Sequence, residues 1–351
     1  MEKRKLGTTG VDVSLICLGT MTYGEQNTEG EGHDQMDRAV AAGVNFFDTA
    51  ELYAIPPRPE TQGRTEEIIG TWFQARRNRA GIILATKVVG RSGMTWFRDD
   101  KSPSRLTRPQ MTEALDKSLK RLKTDYIDLY QIHFPERPVP WGSTPTNFRV
   151  NAFKPLGDET SIAEQLEVLD SFVKSGKVRW IGLSNESPWG MMKFIAEGDR
   201  LGLARVQSVQ NAYSLVNRIY ETGSAEVTMQ ENVSLLAYSP LAQGYLTGKY
   251  RNGALPAGAR KTLFNRLQRY ETPGSDVAYE AYFALAAELG MSPAALALAF
   301  VNSRPFLTSN IIGATTTAQL DECLASADVT LSGEALTRID AIHQLHMNPC
   351  P

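Results

Sequence analysis

Short runs rich in β-branched and aromatic residues alternate along the chain with longer stretches in which apolar positions recur every three or four residues. Runs of the first kind predict strands, and stretches of the second kind predict amphipathic helices. Strands are expected at 44–47, 82–86, 126–132, 178–183, 206–209, 233–237 and 310–312, with a thinner eighth run at 329–331. Residues 111–122 read as an intervening helix with Thr107 or Thr112 as its cap. Residues 161–175 read as another, opening with Ser161 and a glutamate three positions on. Repeated strand–helix units predict an α/β fold, an eightfold parallel (β/α)8 barrel of the TIM type. Ahead of it, residues 5–19 read as an amino-terminal β-hairpin that leads into the barrel and can plug its floor.

The predicted strands end in polar or small residues: Asp48-Thr49-Ala50, Lys87, His133, Ser184-Asn185, Gln210-Asn211, Tyr238-Ser239-Pro240 and Gly313-Ala314-Thr315. In a parallel barrel the carboxyl ends of the strands form one rim, and that rim carries the site. Asp48, Tyr53, Lys87 and His133 suit proton donation to a carbonyl oxygen whose carbon receives hydride. Tyrosine ordinarily titrates near pH ~10, so it acts as a general acid near neutrality only when a cation and hydrogen bonds stabilise its anion. Lys87 can supply the cation, Asp48 can keep that lysine charged, and His133 can orient or protonate a carbonyl. Each has a plainer reading alone: a helix cap, a snorkelling surface lysine, a satisfied loop histidine. Their joint order along successive strand ends favours the chemical one.

Composition narrows the partner rather than the fold. With 42% hydrophobic residues and 351 positions, the chain can fill one barrel domain spanning 1–351. A net charge of −2 makes no electrostatic case for nucleic acid or a membrane surface, so a small molecule is expected, and self-association is compatible with it. Cys17, Cys323 and Cys350 are odd in number and lack metal spacing, which points to a reducing compartment. No apolar run approaches the ~20 residues of a membrane span and no signal-peptide pattern opens the chain, so a cytoplasmic protein is expected. The long irregular stretches 90–105 and 135–160 follow strands that carry site residues. They are expected to overhang the mouth, the second as a lid or pocket wall bearing Trp141, Phe148 and Phe153.

Three other patterns carry less. Tyr245 and Lys249 have a Tyr-x-x-x-Lys spacing, but no amino-terminal Gly-rich dinucleotide turn accompanies it. Asn185-Glu186-Ser187 is a formal glycosylation acceptor in a chain without a secretory signal. His343 and His346 lie close together without a carboxylate constellation, so no metal site is expected.

These residues resemble the aldo-keto reductase family over nearly the whole chain. The likeness rests on Gly19-Thr20-Met21, Asp48 with Tyr53 five positions on, Ala85-Thr86-Lys87, Asp128-Leu129-Tyr130-Gln131-Ile132-His133, Ile181-Gly182-Leu183-Ser184-Asn185, Tyr238-Ser239-Pro240-Leu241 and Gly313-Ala314-Thr315, in the family's order. The chain is most similar to the bacterial Tas-like branch and more distantly to the potassium-channel β-subunit branch. The resemblance implies NADP(H) as cofactor and reversible reduction of aldehydes or ketones. It implies Tyr53 as proton donor, Lys87 and Asp48 as the groups that lower its pKa, and His133 as the group that orients the carbonyl. It places Gly19, Thr20, Met21 and Asp48 beside the cofactor, Ser184, Asn185 and Gln210 at the nicotinamide carboxamide, and Tyr238 stacked on the ring. Ser239, Pro240, Leu241, Gly244, Lys249, Arg260, Gly313, Thr315, Gln319, Glu322 and Cys323 match pyrophosphate and adenosine positions. Many members have arginine where Gln319 stands and asparagine where Cys323 stands, and residues 54–64 extend the turn after the tyrosine with three prolines. The same residues fit an alternative, a cofactor-binding redox sensor or accessory subunit with slow turnover.

Overall fold

A computed structural model describes residues 1–139, 153–265 and 268–351. Two antiparallel strands, β1 (Lys3–Lys5) and β2 (Asp12–Ser14), precede eight parallel ones. These are β3 (Ile16–Gly19), β4 (Phe46–Asp48), β5 (Ile83–Val88), β6 (Ile127–Ile132), β7 (Val178–Ser184), β8 (Val206–Ala212), β9 (Ser234–Tyr238) and β10 (Leu307–Ile312). They close in sequence order, with β10 pairing back onto β3. The helices are α1 (Glu29–Ala41), α2 (Arg64–Arg76), α3 (Arg108–Leu122), α4 (Ile162–Lys174), α5 (Pro188–Leu201), α6 (Ser224–Glu231), α7 (Arg260–Phe264), α8 (Ser275–Glu288), α9 (Pro293–Asn302), α10 (Thr317–Ala325) and α11 (Gly333–Leu345).

The expected barrel is present, with one strand reassigned. Residues 329–331 are not a strand; Leu331 packs on the helical layer and Ser332 caps α11. The eighth barrel strand is β3, which lies within the stretch 5–19 expected to be hairpin. The hairpin ends at Ser14, and the apolar run Ile16-Cys17-Leu18 continues so closely behind it that no turn signal separates the two. Thr107 sits at the N-cap of α3 without a side-chain bond, whereas Ser161 and Glu164 form a complete capping box on α4, satisfying two otherwise unpaired N–H groups.

The barrel interior is layered. Cys17, Phe46, Ala85, Leu129, Leu236 and Ile311 point inward from the strands and meet Leu6 and Val13 of the hairpin, which close the floor. Burying Leu6 and Val13 contributes roughly 1.5–3 kcal/mol each. The hairpin turn is tied down by Gly7 N–H donating to Ser234 Oγ (2.7 Å) and Thr8 N–H donating to Gln207 Oε1 (2.8 Å). Gly7 has φ +51°, and a Cβ there would meet the Gln207 backbone oxygen at 2.6 Å, so only glycine fits. Above this apolar layer the inward side chains become polar, and that change defines the mouth. Among the described residues, no single helix is long and apolar enough to cross a membrane.

Candidate active site

Strand period places the reactive groups. Successive residues of a strand alternate faces, so Ala85 and Lys87 share the barrel lumen on β5, and Leu129, Gln131 and His133 share it along and just beyond β6. Asp48 closes β4, paired in register with Ala85, while Lys87 is paired with Gln131. His133 leaves the sheet with its N–H still bonded to Val88 O (2.9 Å). Tyr53 reaches the same point from the β4–α2 loop, where its carbonyl accepts from Gly63 N–H (2.7 Å).

Lys87 Nζ is the hub of the site. It donates to Asp48 Oδ2 (2.7 Å) and to the Thr49 carbonyl (2.7 Å), and lies 3.4 Å from Tyr53 Oη. Lys87 is fully buried and Asp48 nearly so. The other Asp48 oxygen accepts from Gln210 Nε2 (2.7 Å) and Gln131 Nε2 (3.4 Å). The aspartate is thus fixed on both oxygens. Burial would push the Lys87 ammonium down, but Asp48 and Tyr53 outweigh it and hold the pKa above the ordinary lysine value.

Tyr53 behaves differently from the sequence expectation. Burial pushes its pKa up, Lys87 pulls it down, and Asp48 adds to the rise, so the net direction is upward. Tyr53 therefore rests in the protonated form that a donor must have, and the lysine's contribution grows only as negative charge develops on the phenol. His133 stands edge-on to Tyr53, ring centroids 5.7 Å apart. Burial and the neighbouring Lys87 charge drive its imidazole well below the ordinary value, leaving it neutral. Its Nδ1 is buried with no hydrogen-bond partner among the described residues, an orphaned polar atom beside Tyr53.

The later strand ends complete the rim. Ser184 Oγ donates to the Gln210 carbonyl (2.8 Å). Asn185, at φ +55°, donates from Nδ2 to the His133 carbonyl (2.8 Å) and accepts from Tyr238 Oη (2.7 Å). Gly19 ends β3, and Thr20 and Met21 follow it, with Thr20 Oγ1 donating to the Asp48 carbonyl (2.8 Å). Ser239 and Pro240 follow β9 and lead into the irregular segment that contains Leu241, Gly244 and Lys249, and α7 then begins with Arg260. Burial, aided by the nearby Arg260 charge, pushes the Lys249 ammonium down. A lysine disfavoured by burial and by a neighbouring cation suits a phosphate group, whose charge would favour its ammonium. Gly313 and Thr315 follow β10; Gln319 Oε1 accepts from the Thr315 N–H (3.0 Å) and hydroxyl (3.1 Å), and Glu322 accepts from Ser292 Oγ (2.6 Å). Cys323 differs from this group: it is buried in the helical core, its thiol pushed up to about 12 by burial.

Gln131 is not among the expected site residues, although Leu129-x-Gln131-x-His133 has the strand period that places it in the lumen. Nor is Glu51 among them, although its carboxylate is buried against Val89 N–H and Arg98. Trp141 and Phe148 of the expected lid lie outside the described residues, and Phe153 is exposed. All three cysteines are free and buried, and among the described residues no cluster of His, Cys, Asp or Glu could hold a metal ion.

Comparison with known proteins gives a consistent result. The model of the Aldo/keto reductase family matches residues 15–344. "Protein tas" of Escherichia coli (strain K12) is 44% identical over 360 residues, covering all of both chains. "Uncharacterized oxidoreductase YrpG" of Bacillus subtilis is 34% identical over 97% of this chain and 96% of its own. A "Probable voltage-gated potassium channel subunit beta" of Oryza sativa subsp. japonica is 30% identical over 98% of this chain and 97% of its own.

Proposed function

Because the chain belongs to the aldo/keto reductase family, we propose that it is an NADP(H)-dependent carbonyl reductase, acting reversibly between an aldehyde or ketone and the corresponding alcohol. The observation that carries this reading is the buried Lys87 Nζ, held by Asp48 and within 3.4 Å of the Tyr53 hydroxyl. The nicotinamide, when bound, supplies or accepts the hydride. Tyr53 then gives its proton to the carbonyl oxygen as negative charge develops there, and Lys87 stabilises the phenolate left behind. Neutral His133 orients the same oxygen. Donors fixed around an oxygen that gains charge stabilise the transition state more than the ground state. In the alcohol-oxidising direction the same groups run in reverse.

Several side chains suit the cofactor. Ser184, Asn185 and Gln210 present amide and hydroxyl groups to the nicotinamide carboxamide, and Tyr238 offers a ring face. The Lys249–Arg260 pair is our basis for placing phosphate and for favouring NADP(H) over NAD(H). Gln319 and Glu322 complete the adenosine end by family position, while Cys323 packs in the core behind them. The chain acts as one domain, on a small-molecule substrate, in the cytoplasm.

Purified protein should oxidise NADPH with a panel of aldehydes and ketones, followed by nicotinamide absorbance, with a higher kcat/KM for NADPH than for NADH. Preference for NADH would overturn the phosphate assignment. Cofactor binding with no turnover above background would instead support a sensor or accessory subunit, the reading favoured by the 30% identity to channel β subunits.

A further inference from the structure

The loop that carries Tyr53 contains a carboxylate that the proton-transfer scheme does not use. Glu51 is buried, and its Oε1 accepts from Val89 N–H (2.7 Å) and Arg98 Nη2 (3.0 Å) while Oε2 accepts from Arg98 Nη1 (2.9 Å). Arg98 is also fully buried. A two-pronged pair of this kind fixes orientation as well as distance. The backbone of Glu51 is anchored too: its N–H donates to the Lys87 carbonyl (3.2 Å), and its carbonyl accepts from Gln62 Nε2 (2.7 Å). One residue therefore joins the Tyr53 loop, the strand bearing Lys87, the 54–64 extension and the β5–α3 loop.

Arg98 in turn fixes what precedes it. Phe97 joins a cluster with Tyr53, Val89 and Phe134, and Met94 and Trp96 pack against that cluster. From outside, Lys117 Nζ holds the Phe97 carbonyl (3.1 Å), so the segment is gripped on both sides. Gly90 lets this loop press on the Phe134 backbone, where any Cβ would collide. The surface beside the Tyr53 ring is thus aromatic and sulfur-rich. Trp96 Nε1 is buried in it with no partner among the described residues, a donor that an acceptor group on a ligand would satisfy.

We propose that Glu51 and Arg98 are a positioning pair that holds this apolar wall against Tyr53, and that the wall receives an aryl or similarly bulky apolar substituent of the carbonyl substrate. The inference rests on the reductase reading above for its chemistry, while the wall itself is read by ligand binding. Neither residue touches the reacting atoms. Breaking the pair leaves proton transfer intact and loosens the surface on which the substituent packs.

The test uses Arg98→Met, Glu51→Gln and the double variant in the full chain, with NADPH, 4-nitrobenzaldehyde and the small polar glyceraldehyde. Each single variant strands a buried charge and loses thermal stability. The double variant removes both charges and recovers part of that loss, since no unpaired ion stays buried and the glutamine carbonyl can still accept from Val89 N–H. A purely structural pair would recover selectivity along with stability. The positioning role predicts otherwise: the double variant keeps a KM for the aryl aldehyde raised about tenfold, with kcat little changed and glyceraldehyde kinetics near wild type. A normal aryl KM in the double variant, or an equal fall for both aldehydes, would overturn the proposal. Titration calorimetry of 4-nitrobenzaldehyde into NADP⁺-loaded protein, where no reduction can occur, gives a second measurement. A wild type that binds the aryl aldehyde about tenfold tighter than the double variant, yet oxidises no NADPH with any carbonyl, refutes the reductase reading and keeps the wall. Equal binding refutes the wall.

Discussion

Asp48→Asn separates the charge on Lys87 from the presence of Lys87. The lysine is fully buried, and burial is the leading influence on its pKa, pulling downward; the partnership with Asp48 reverses the direction. Without the carboxylate, burial is left as the dominant influence and takes the Lys87 pKa below the ordinary lysine value. The variant then loses its lysine cation as pH rises toward ~8. The ammonium lies 3.4 Å from the Tyr53 oxygen, where full unit charges attract by about 4–5 kcal/mol at an effective dielectric of ~20. If half a charge develops on the phenol, about 2 kcal/mol of transition-state stabilisation is lost, roughly 30-fold in rate.

The pH dependence has a definite sign. In the wild type the raised lysine pKa keeps the cation in place through neutrality, so this group gives kcat no slope there. In Asp48→Asn the cation exists only below the depressed pKa, so kcat should recover as pH falls from ~8 to ~6. Stability should move the opposite way. The unfolded lysine holds its proton more tightly than the folded one, so the variant loses stability as pH falls through the range between the two pKa values. Steady-state NADPH oxidation and urea unfolding across that range measure both, with cofactor affinity followed separately by fluorescence. A rate within threefold of wild type at pH ~8, or a low rate without slope, would refute the reasoning.

Tyr53→Phe should lower kcat by about 10²–10⁴ while leaving NADPH affinity close to wild type; near-normal turnover would remove Tyr53 from the donor role. With His133 held neutral, kcat/KM should show no imidazole inflection between pH ~6 and ~8, and an inflection that vanishes in His133→Asn would contradict this. The same depression means that stability contributed by neutral His133 is lost as pH falls below about 6.5, visible as a falling urea midpoint. Arg121 donates to the buried Glu66 (2.7 Å), so Arg121→Met should cost about 3–5 kcal/mol in urea unfolding. Removing the exposed Arg38 that pairs with Asp321 should leave the curve unchanged. The three buried cysteines should resist a thiol reagent in the native protein and all react once it is unfolded.

The barrel and its rim were legible because both follow from period. Strand runs end where the barrel mouth begins, and inward residues recur at every second position, so Asp48, Lys87 and His133 could be aligned from the sequence. β3 was not separable because its apolar run begins directly behind the hairpin. The direction of the Tyr53 shift was also out of reach, since it depends on how completely the phenol is buried against how near the ammonium sits, and neither quantity is written in residue spacing.

Glu51 and Arg98 mark the limit more sharply. They are 47 positions apart, in loops without periodicity, and each alone reads as a solvated surface charge. A charge in a loop becomes structural only if the loop folds back far enough to exclude water from it, and then an opposite charge must meet it, because an unpaired buried ion is costly. Glu51–Arg98 joins two such loops, and a second buried pair, Glu66–Arg121, joins α2 to α3 behind β5, where Thr86 Oγ1 donates to Glu66 (2.6 Å) from the outward face of the strand. The strand faces fix where Asp48, Lys87 and His133 meet. The loops, pinned by charges that meet only after folding, fix the surface presented to the substrate, so a barrel pattern reveals the chemistry of its rim well before it reveals what that rim accepts.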